Sequence, residues 1–366
     1  MQEATKAPPV AYYDYIIIGG GTAGCPLAAT LSQNFRVLPL ERGGAPYGNQ
    51  NITNLATFTN TITDTSPTSS TQRFVSKDGV VNNRALVLGG GTCLNGRFYT
   101  RASPDNVQRS GWDLDLVNRS YEWVEKVMVF KPQMLQWQSA VRDGLLEVGV
   151  LPDNGYTFDH IYGTKVGGPS STRTAIDIQL LICFRKSRPA ANGVIFKDAE
   201  GNKRRAYLSK EKGKGSMNEI IVSAGALGGP QLLMLSGIGP AQHLKSLGIK
   251  VVLDQPMVGQ GMSDNPMNFI FVPSPPPVEI SLIQLVGISQ LGTYIEAISH
   301  IDFPRFFGFS SPFQSSQLPD VTPTKERTPE ATEQALEDDR HAGSNAGMIL
   351  EKTIGPPFHW LSQAKK

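Results

Sequence analysis

Three glycine-rich segments and one acid carry the chemistry this sequence could do. Gly19, Gly21 and Gly24 stand at G-x-G-x-x-G spacing, directly after the apolar, β-branched run Tyr15 to Ile18. Glycine at the first position allows a tight turn out of a strand. At the second it leaves room for a pyrophosphate, and at the third it lets helix and strand approach closely. Glu41 follows Gly19 by 22 residues, near the roughly 20 expected of a carboxylate that grips a ribose hydroxyl. That carboxylate disfavours the 2′-phosphate of NADP by like-charge repulsion. The opening unit alone admits either FAD or NAD.

The second segment runs from Arg84 to Arg101 and contains Gly89-Gly90-Gly91-Thr92-Cys93-Leu94-Asn95. It offers another close backbone approach, and Asn95 adds an amide that donates and accepts hydrogen bonds. Cys93 reads as a small packed hydrophobe. The third segment spans Glu219 to Pro240. It predicts a strand over 219–223, a glycine turn over 224–228, and a helix from Pro230 to Leu235 that Gly237 ends.

Simple elements must position these segments. The pattern predicts a strand over 15–18, a helix over 22–32 with Pro26 in its first turn, and a strand over 36–40. Met134, Trp137, Val141, Leu145 and Val148 recur at helical steps, as the buried stripe of an amphipathic helix. Residues 193–208 predict a hairpin turning near Glu200-Gly201-Asn202. The basic run Lys203, Arg204, Arg205, Lys210, Lys212 and Lys214 reads as its solvated edge. Thr328-Pro329-Glu330 predicts the start of a helix to about Glu337.

Composition sets the outer bounds. With 366 residues, 40% of them hydrophobic, the chain can bury the cores of two domains. A net charge of +2 does not favour nucleic acid as a partner. Three cysteines, Cys25, Cys93 and Cys183, are too few for a disulfide framework, and no Cys/His cluster points to a metal. No apolar run is long enough for a transmembrane segment, and residues 1–13 do not read as a signal peptide. Sequons at Asn51 and Asn118 leave the compartment open.

Taken in order, the three segments resemble the glucose–methanol–choline (GMC) family of FAD-dependent oxidoreductases, in particular its plant HOTHEAD-like and mandelonitrile-lyase-like branch. The resemblance implies an α/β fold (α+β overall). A Rossmann-like FAD-binding domain would cover 12–265, with inserted segments and an internal deletion near 168–190. A partial, mainly antiparallel substrate domain would cover 266–355, and 356–366 would be a tail foreign to the family. The second and third segments argue against an NAD-dependent dehydrogenase.

The resemblance also implies site residues. Gly19, Gly21, Thr22, Ala23, Gly24, Glu41 and Arg42 would hold the ADP half of FAD. Val87, Gly91, Thr92, Asn95, Gly96, Arg97 and Phe98 would hold the isoalloxazine half, and Ala224 and Gly225 would close on the cofactor. The implied reaction is oxidation of a CH–OH group, in an alcohol or hydroxy fatty acid, by hydride transfer to flavin. The implied partner is a small alcohol-type substrate. Hydroxynitrile cleavage and a non-catalytic FAD-fold remnant are the alternatives.

Two departures stand out. Residues 168–190 do not show the family's strand with its apolar contact to adenine, for which Ile182 or Cys183 are the nearest substitutes. The family's catalytic histidine lies in a carboxy-terminal part not matched here. None of His160, His243, His300, His341 and His359 fits its motif. The catalytic residue is thus unassigned, and impaired activity is the expectation.

Overall fold

The computed structural model describes residues 8–76, 79, 81–168, 178–185, 188–198, 200–210, 217–262, 267–273, 278–299 and 346–353. β1 (Val10–Tyr13) and β2 (Tyr15–Ile18) open it, and α1 (Gly24–Leu31) and β3 (Val37–Leu40) follow. Short helices α2 (Gln50–Thr53) and α3 (Phe58–Thr63) lead to the hairpin of β4 (Thr71–Val75) and β5 (Val81–Ala85). After a 3-10 turn at Gly90–Cys93 come α4 (Pro104–Arg109), α5 (Leu114–Met128) and α6 (Gln136–Glu147). Strands β6 (Asp153–Tyr156), β7 (Gly163–Val166), β8 (Ile178–Arg185), β9 (Arg188–Lys197), β10 (Lys203–Leu208) and β11 (Glu219–Val222) precede α7 (Gly225–Leu235). Then come β12 (Ile238–Gly239), α8 (Ala241–Ser246), β13 (Leu253–Asp254), β14 (Met267–Pro273), β15 (Leu285–Ile288), β16 (Thr293–Ser299) and β17 (Ala346–Thr353).

Two sheets form the first core. β11, β2 and β3 pair in parallel in that order, with α1 as the crossover between β2 and β3. Burial on both faces suits a parallel strand, and Tyr15 to Ile18 are all buried. Each buried isoleucine contributes roughly 1.5–3 kcal/mol. The four-stranded sheet β1-β10-β9-β8 packs against this one. Val194, Phe196 and Ala206 meet Ile16, Ile18 and Leu40 there.

A six-stranded sheet, ordered β14-β17-β16-β15-β7-β6, forms the second core. It draws on residues 153–166 as well as on 267–353. α6 packs on one face through Trp137, Val141 and Leu145, against Val166, Leu285 and Ala297. Gln138 is wholly buried, and its Nε2 donates to Ser281 Oγ, Leu282 O and Ala297 O at 3.0, 3.2 and 2.9 Å. Caps fix the neighbouring helices. Asn106 donates its amide to Ser103 Oγ ahead of Pro104, and Leu116 donates to Asp113 Oδ1 at 2.7 Å.

Three expectations need correction. α7 begins at Gly225, so Pro230 lies inside it. The strand end is fixed just before, because Ser223 N–H donates to Ile18 O at 2.7 Å. The hydrogen bond that Pro230 cannot make falls on a single carbonyl, that of Ala226, an exposed residue. Val148 is 76% exposed, since α6 stops at Glu147 and Gly149 turns the chain with φ +87°. The hairpin turns where expected, but β10 is not an edge, because β1 pairs with it in parallel. Arg204 is not solvated either, since it pairs with the buried Asp198 at 2.8 Å. The 328–337 helix, Lys212 and Lys214 lie outside the described residues.

Candidate functional site

The three glycine segments converge at the carboxyl end of β2. Gly19 takes a left-handed φ of +105°, and its N–H donates to Leu40 O at 2.8 Å. The next carbonyl, Gly20 O, accepts from Gly89 N–H at 2.8 Å. Gly90 has φ +59°, and a β-carbon there would lie 2.9 Å from Gly21 Cα. The first two segments therefore touch backbone to backbone at a distance only glycine permits. The Thr22 and Thr92 hydroxyls are hydrogen-bonded to each other, and Thr22 Oγ1 also donates to Gly89 O at 3.4 Å.

Ser223 ties in the third segment. Its hydroxyl donates to Gly19 O at 2.8 Å. Ala224 and Gly225 follow at the head of α7, where Gly225 is exposed with φ +78°. Gly24 is the first residue of α1 and is buried, while Thr22 and Ala23 are exposed beside it. No side chain caps α1, so no side chain satisfies its first amides.

Glu41, at the end of β3, reaches back to the first loop. Its Oε2 accepts from Gly20 N–H at 2.6 Å, and its Oε1 accepts from Arg42 N–H at 3.0 Å and Gly43 N–H at 3.3 Å. Burial pushes the carboxyl up from its usual range. The amides of Gly43 and Gly20 and the charges of Arg42 and Arg84 oppose that shift. Arg42 Nη2 donates to Gln72 Oε1 at 2.9 Å, and Arg84 Nη1 donates to Gln231 Oε1 on α7 at 2.8 Å.

The rest of the second segment leads away from this cradle towards the six-stranded sheet. Val87 and Cys93 are buried against Ile52. Gly91 and Asn95 are exposed. Asn95 Oδ1 accepts from Arg97 N–H at 2.9 Å and supports a left-handed φ of +65° at Arg97. That backbone costs a non-glycine residue about 1–2 kcal/mol, and burial lowers the pKa of the guanidinium. Gly96 O accepts from Ile283 N–H at 3.1 Å. Phe98 meets the Tyr294 ring edge-on, with centroids 6.3 Å apart. The structure thus joins Gly19, Gly21, Thr22, Gly24, Glu41 and Thr92 at the glycine loops, and sets Gly96 and Phe98 against Ile283 and Tyr294.

Beside Phe98, His160 stacks on Tyr294 at 6.1 Å, and burial and the Lys165 charge lower its pKa. His243 lies on α8, and His300, His341 and His359 fall outside the described residues. Two residues beside these positions were missed. Ser223 could have been found, since it ends the strand at the third glycine turn. Lys165, wholly buried on β7, left no signal, being a lone lysine between Thr164 and Val166. Among the described residues no group of three or more His, Cys, Asp or Glu side chains could hold a metal, and no helix is long and apolar enough to cross a membrane.

Residues 173–267 match the GMC oxidoreductase family model. The Arabidopsis thaliana Protein HOTHEAD is 48% identical, over 94% of this chain and 62% of that protein. The chain belongs to the GMC oxidoreductase family. The family match takes in residues 173–190, most of the stretch whose sequence departs from the pattern, and β8 runs there. An (R)-mandelonitrile lyase-like protein of Arabidopsis thaliana is 46% identical over 86% of this chain and 60% of its own length. The Sinalpyl alcohol oxidase Nec3 of Nesocodon mauritianus is 41% identical over 87% and 60%. The chain therefore spans about three fifths of the length of these relatives.

Solved structures share the fold of this GMC chain. Formate oxidase aligns with a TM-score of 0.69 at 17% identity, over 96% of this chain and 74% of that one. Pyridoxine 4-oxidase from Mesorbium loti aligns at 0.68 and 18%, over 94% and 71%. FAD is the cofactor of the GMC family. The cradle fits it, with glycines where a β-carbon would clash, an uncapped helix start, and an acid at the end of the second Rossmann strand.

Proposed function

We propose that this chain forms the FAD-binding part and much of the substrate sheet of an oxidoreductase acting on the CH–OH group of an alcohol or hydroxy fatty acid. The observation that carries this reading is the meeting of three glycine segments around the loop to which Glu41 is bonded. In this reading Gly19, Gly21, Thr22, Ala23 and Gly24 set the diphosphate at the start of α1. Glu41 and Arg42 take the ribose. Val87, Gly91, Thr92, Asn95, Gly96, Arg97 and Phe98 line the ring half, and Ala224 and Gly225 close the cradle.

Bound FAD supplies two-electron chemistry that an unaided side chain lacks. The residues here orient and shield. The Gly21–Gly90 contact brings the two loops together, and the six-stranded sheet behind Phe98 excludes water from the ring end. The base that takes the hydroxyl proton is not assigned to any described residue. Similarity to the Sinalpyl alcohol oxidase supports the alcohol reading. The name of the mandelonitrile lyase-like relative favours a second one, cleavage of a hydroxynitrile on the same cradle.

One experiment separates them. The purified chain, loaded with FAD and freed of excess, is mixed anaerobically with primary alcohols or hydroxy fatty acids, and in parallel with mandelonitrile. Bleaching of the bound flavin supports oxidation, and cyanide release without bleaching supports the lyase. Failure to retain any flavin overturns the reading of the cradle.

A further inference from the structure

Lys165 has the largest wholly buried side chain of the described residues. Its ammonium donates to Thr100 Oγ1 at 2.8 Å and to the carbonyl of Asp159. It also lies over the face of Phe98, 5.6 Å from the ring centroid. Two oxygen acceptors and one aromatic face thus account for three N–H groups. Thr100 Oγ1 in turn donates to Phe158 O at 3.0 Å, so the segment 98–100 and the loop 158–160 are joined around this one cation.

Packing alone does not explain a charge here. Methionine would fill the same volume without the desolvation that a buried ammonium suffers, and well-packed apolar replacements of buried ions are often neutral or stabilising. Strand alternation places Lys165 on the sheet face opposite α6, which packs on the neighbouring Val166. Phe98 lies on the Lys165 side.

We propose that Lys165 is a positioning residue for the ring end of the cofactor cradle, its ammonium clamping Phe98 and the segment through Thr100 against the sheet. The inference rests on the reading of Phe98 as a cofactor-ring contact. The titratable and charged groups around the clamp are Asp159 and His160 on the loop, Tyr294 and Glu296 on β16, and Arg101 beside Thr100. Burial lowers the Lys165 pKa to about 8, against a favourable contribution from Asp159. The clamp therefore loses its charge just above neutral pH, and the flavin should register that loss.

The test follows absorbance and fluorescence of FAD bound to the full chain from about pH 6 to about pH 10, in the wild type, K165M and T100V. The expected result is a flavin transition with a midpoint near pH 8 in the wild type, absent in K165M and moved to lower pH in T100V, where the ammonium loses an acceptor. A lysine that only packs would leave the flavin transition unchanged in K165M, whatever the change in thermal stability, and that result overturns the proposal. So does a flavin-loaded wild type with no transition. Should K165M not fold, an unmoved midpoint in T100V overturns it. If the wild type binds no flavin, the cofactor reading fails separately, and the clamp is judged by urea unfolding of F98L, K165M and F98L/K165M. Additive destabilisation then overturns it, whereas strong non-additivity supports it.

Discussion

Gly20 and Glu41 are joined by a 2.6 Å hydrogen bond from the loop amide to the carboxylate, across 21 residues of sequence. The end of β3 and the glycine loop are therefore one unit before any nucleotide arrives. A hydrogen bond to a charged acceptor is worth about 1.5–3 kcal/mol, and burial from water strengthens its local effect. The acid holds the loop, and in the proposed reading it also presents an acceptor to the ribose.

Glu41→Gln keeps the shape and removes the charge. FAD affinity should fall roughly 10- to 100-fold, as loss of one or two charge-assisted bonds predicts. Titration of the apoprotein with FAD, followed by flavin fluorescence, checks this. An unchanged dissociation constant would separate Glu41 from the nucleotide.

Gly90→Ala and Gly91→Ala differ by one position and should differ sharply in effect. At Gly90 the new methyl meets Gly21 Cα at 2.9 Å and the backbone is left-handed, whereas at Gly91 nothing lies within 4 Å. Gly90→Ala should destabilise by about 1–3 kcal/mol and open the seam between the two loops. Gly91→Ala should unfold near the wild-type midpoint. Urea unfolding of the two variants side by side checks the contrast.

Local rules made much of this legible before any coordinates. The β2–α1–β3 unit follows from an isoleucine run, glycine spacing and a second apolar run, and the structure returns all three within two residues. What local rules did not reach was set by distant partners. Val148 continues the helical stripe in sequence, but α6 has already ended. Lys203 to Arg205 look like a free edge until β1, nearly 200 residues upstream, pairs beside them. Lys165 is an ordinary lysine in sequence, and only the meeting of Phe98, Thr100 and Asp159 around it makes it unusual.

Glu125→Gln tests the wall behind the second glycine segment. Arg101 Nε and Nη2 each donate to Glu125 at 2.7 Å, and Tyr99 Oη donates at 2.9 Å. Those Arg101 bonds hold the Glu125 carboxyl below its usual range, against the opposing effect of burial. A lowered carboxyl pKa gives stability that is present above the unfolded value and is lost as pH falls through the folded one. Because Arg101 keeps 28% of its exposure, the loss should be smaller than for a fully buried pair, about 1–3 kcal/mol. Urea unfolding at neutral pH and at pH below the ordinary glutamate value of 4.5 should show the wild type and Glu125→Gln converging as the carboxyl protonates.

On the alkaline side the slope should have the opposite origin. Lys165 titrates near pH 8 in the folded chain and near its ordinary value of 10.5 when unfolded. Between those values the unfolded chain holds more protons, so the Lys165 contribution to stability rises with pH. The slope is at most about 1.4 kcal/mol per pH unit for one group. Burial also raises the Tyr294 and Tyr99 phenols, so above the ordinary tyrosine range their resistance to ionisation turns the slope downwards. Urea unfolding from about pH 7 to about pH 10 should show increasing stability in the wild type and no such increase in Lys165→Met. A wild-type curve that instead declines steadily from neutral pH would show that the ammonium is not buried in solution.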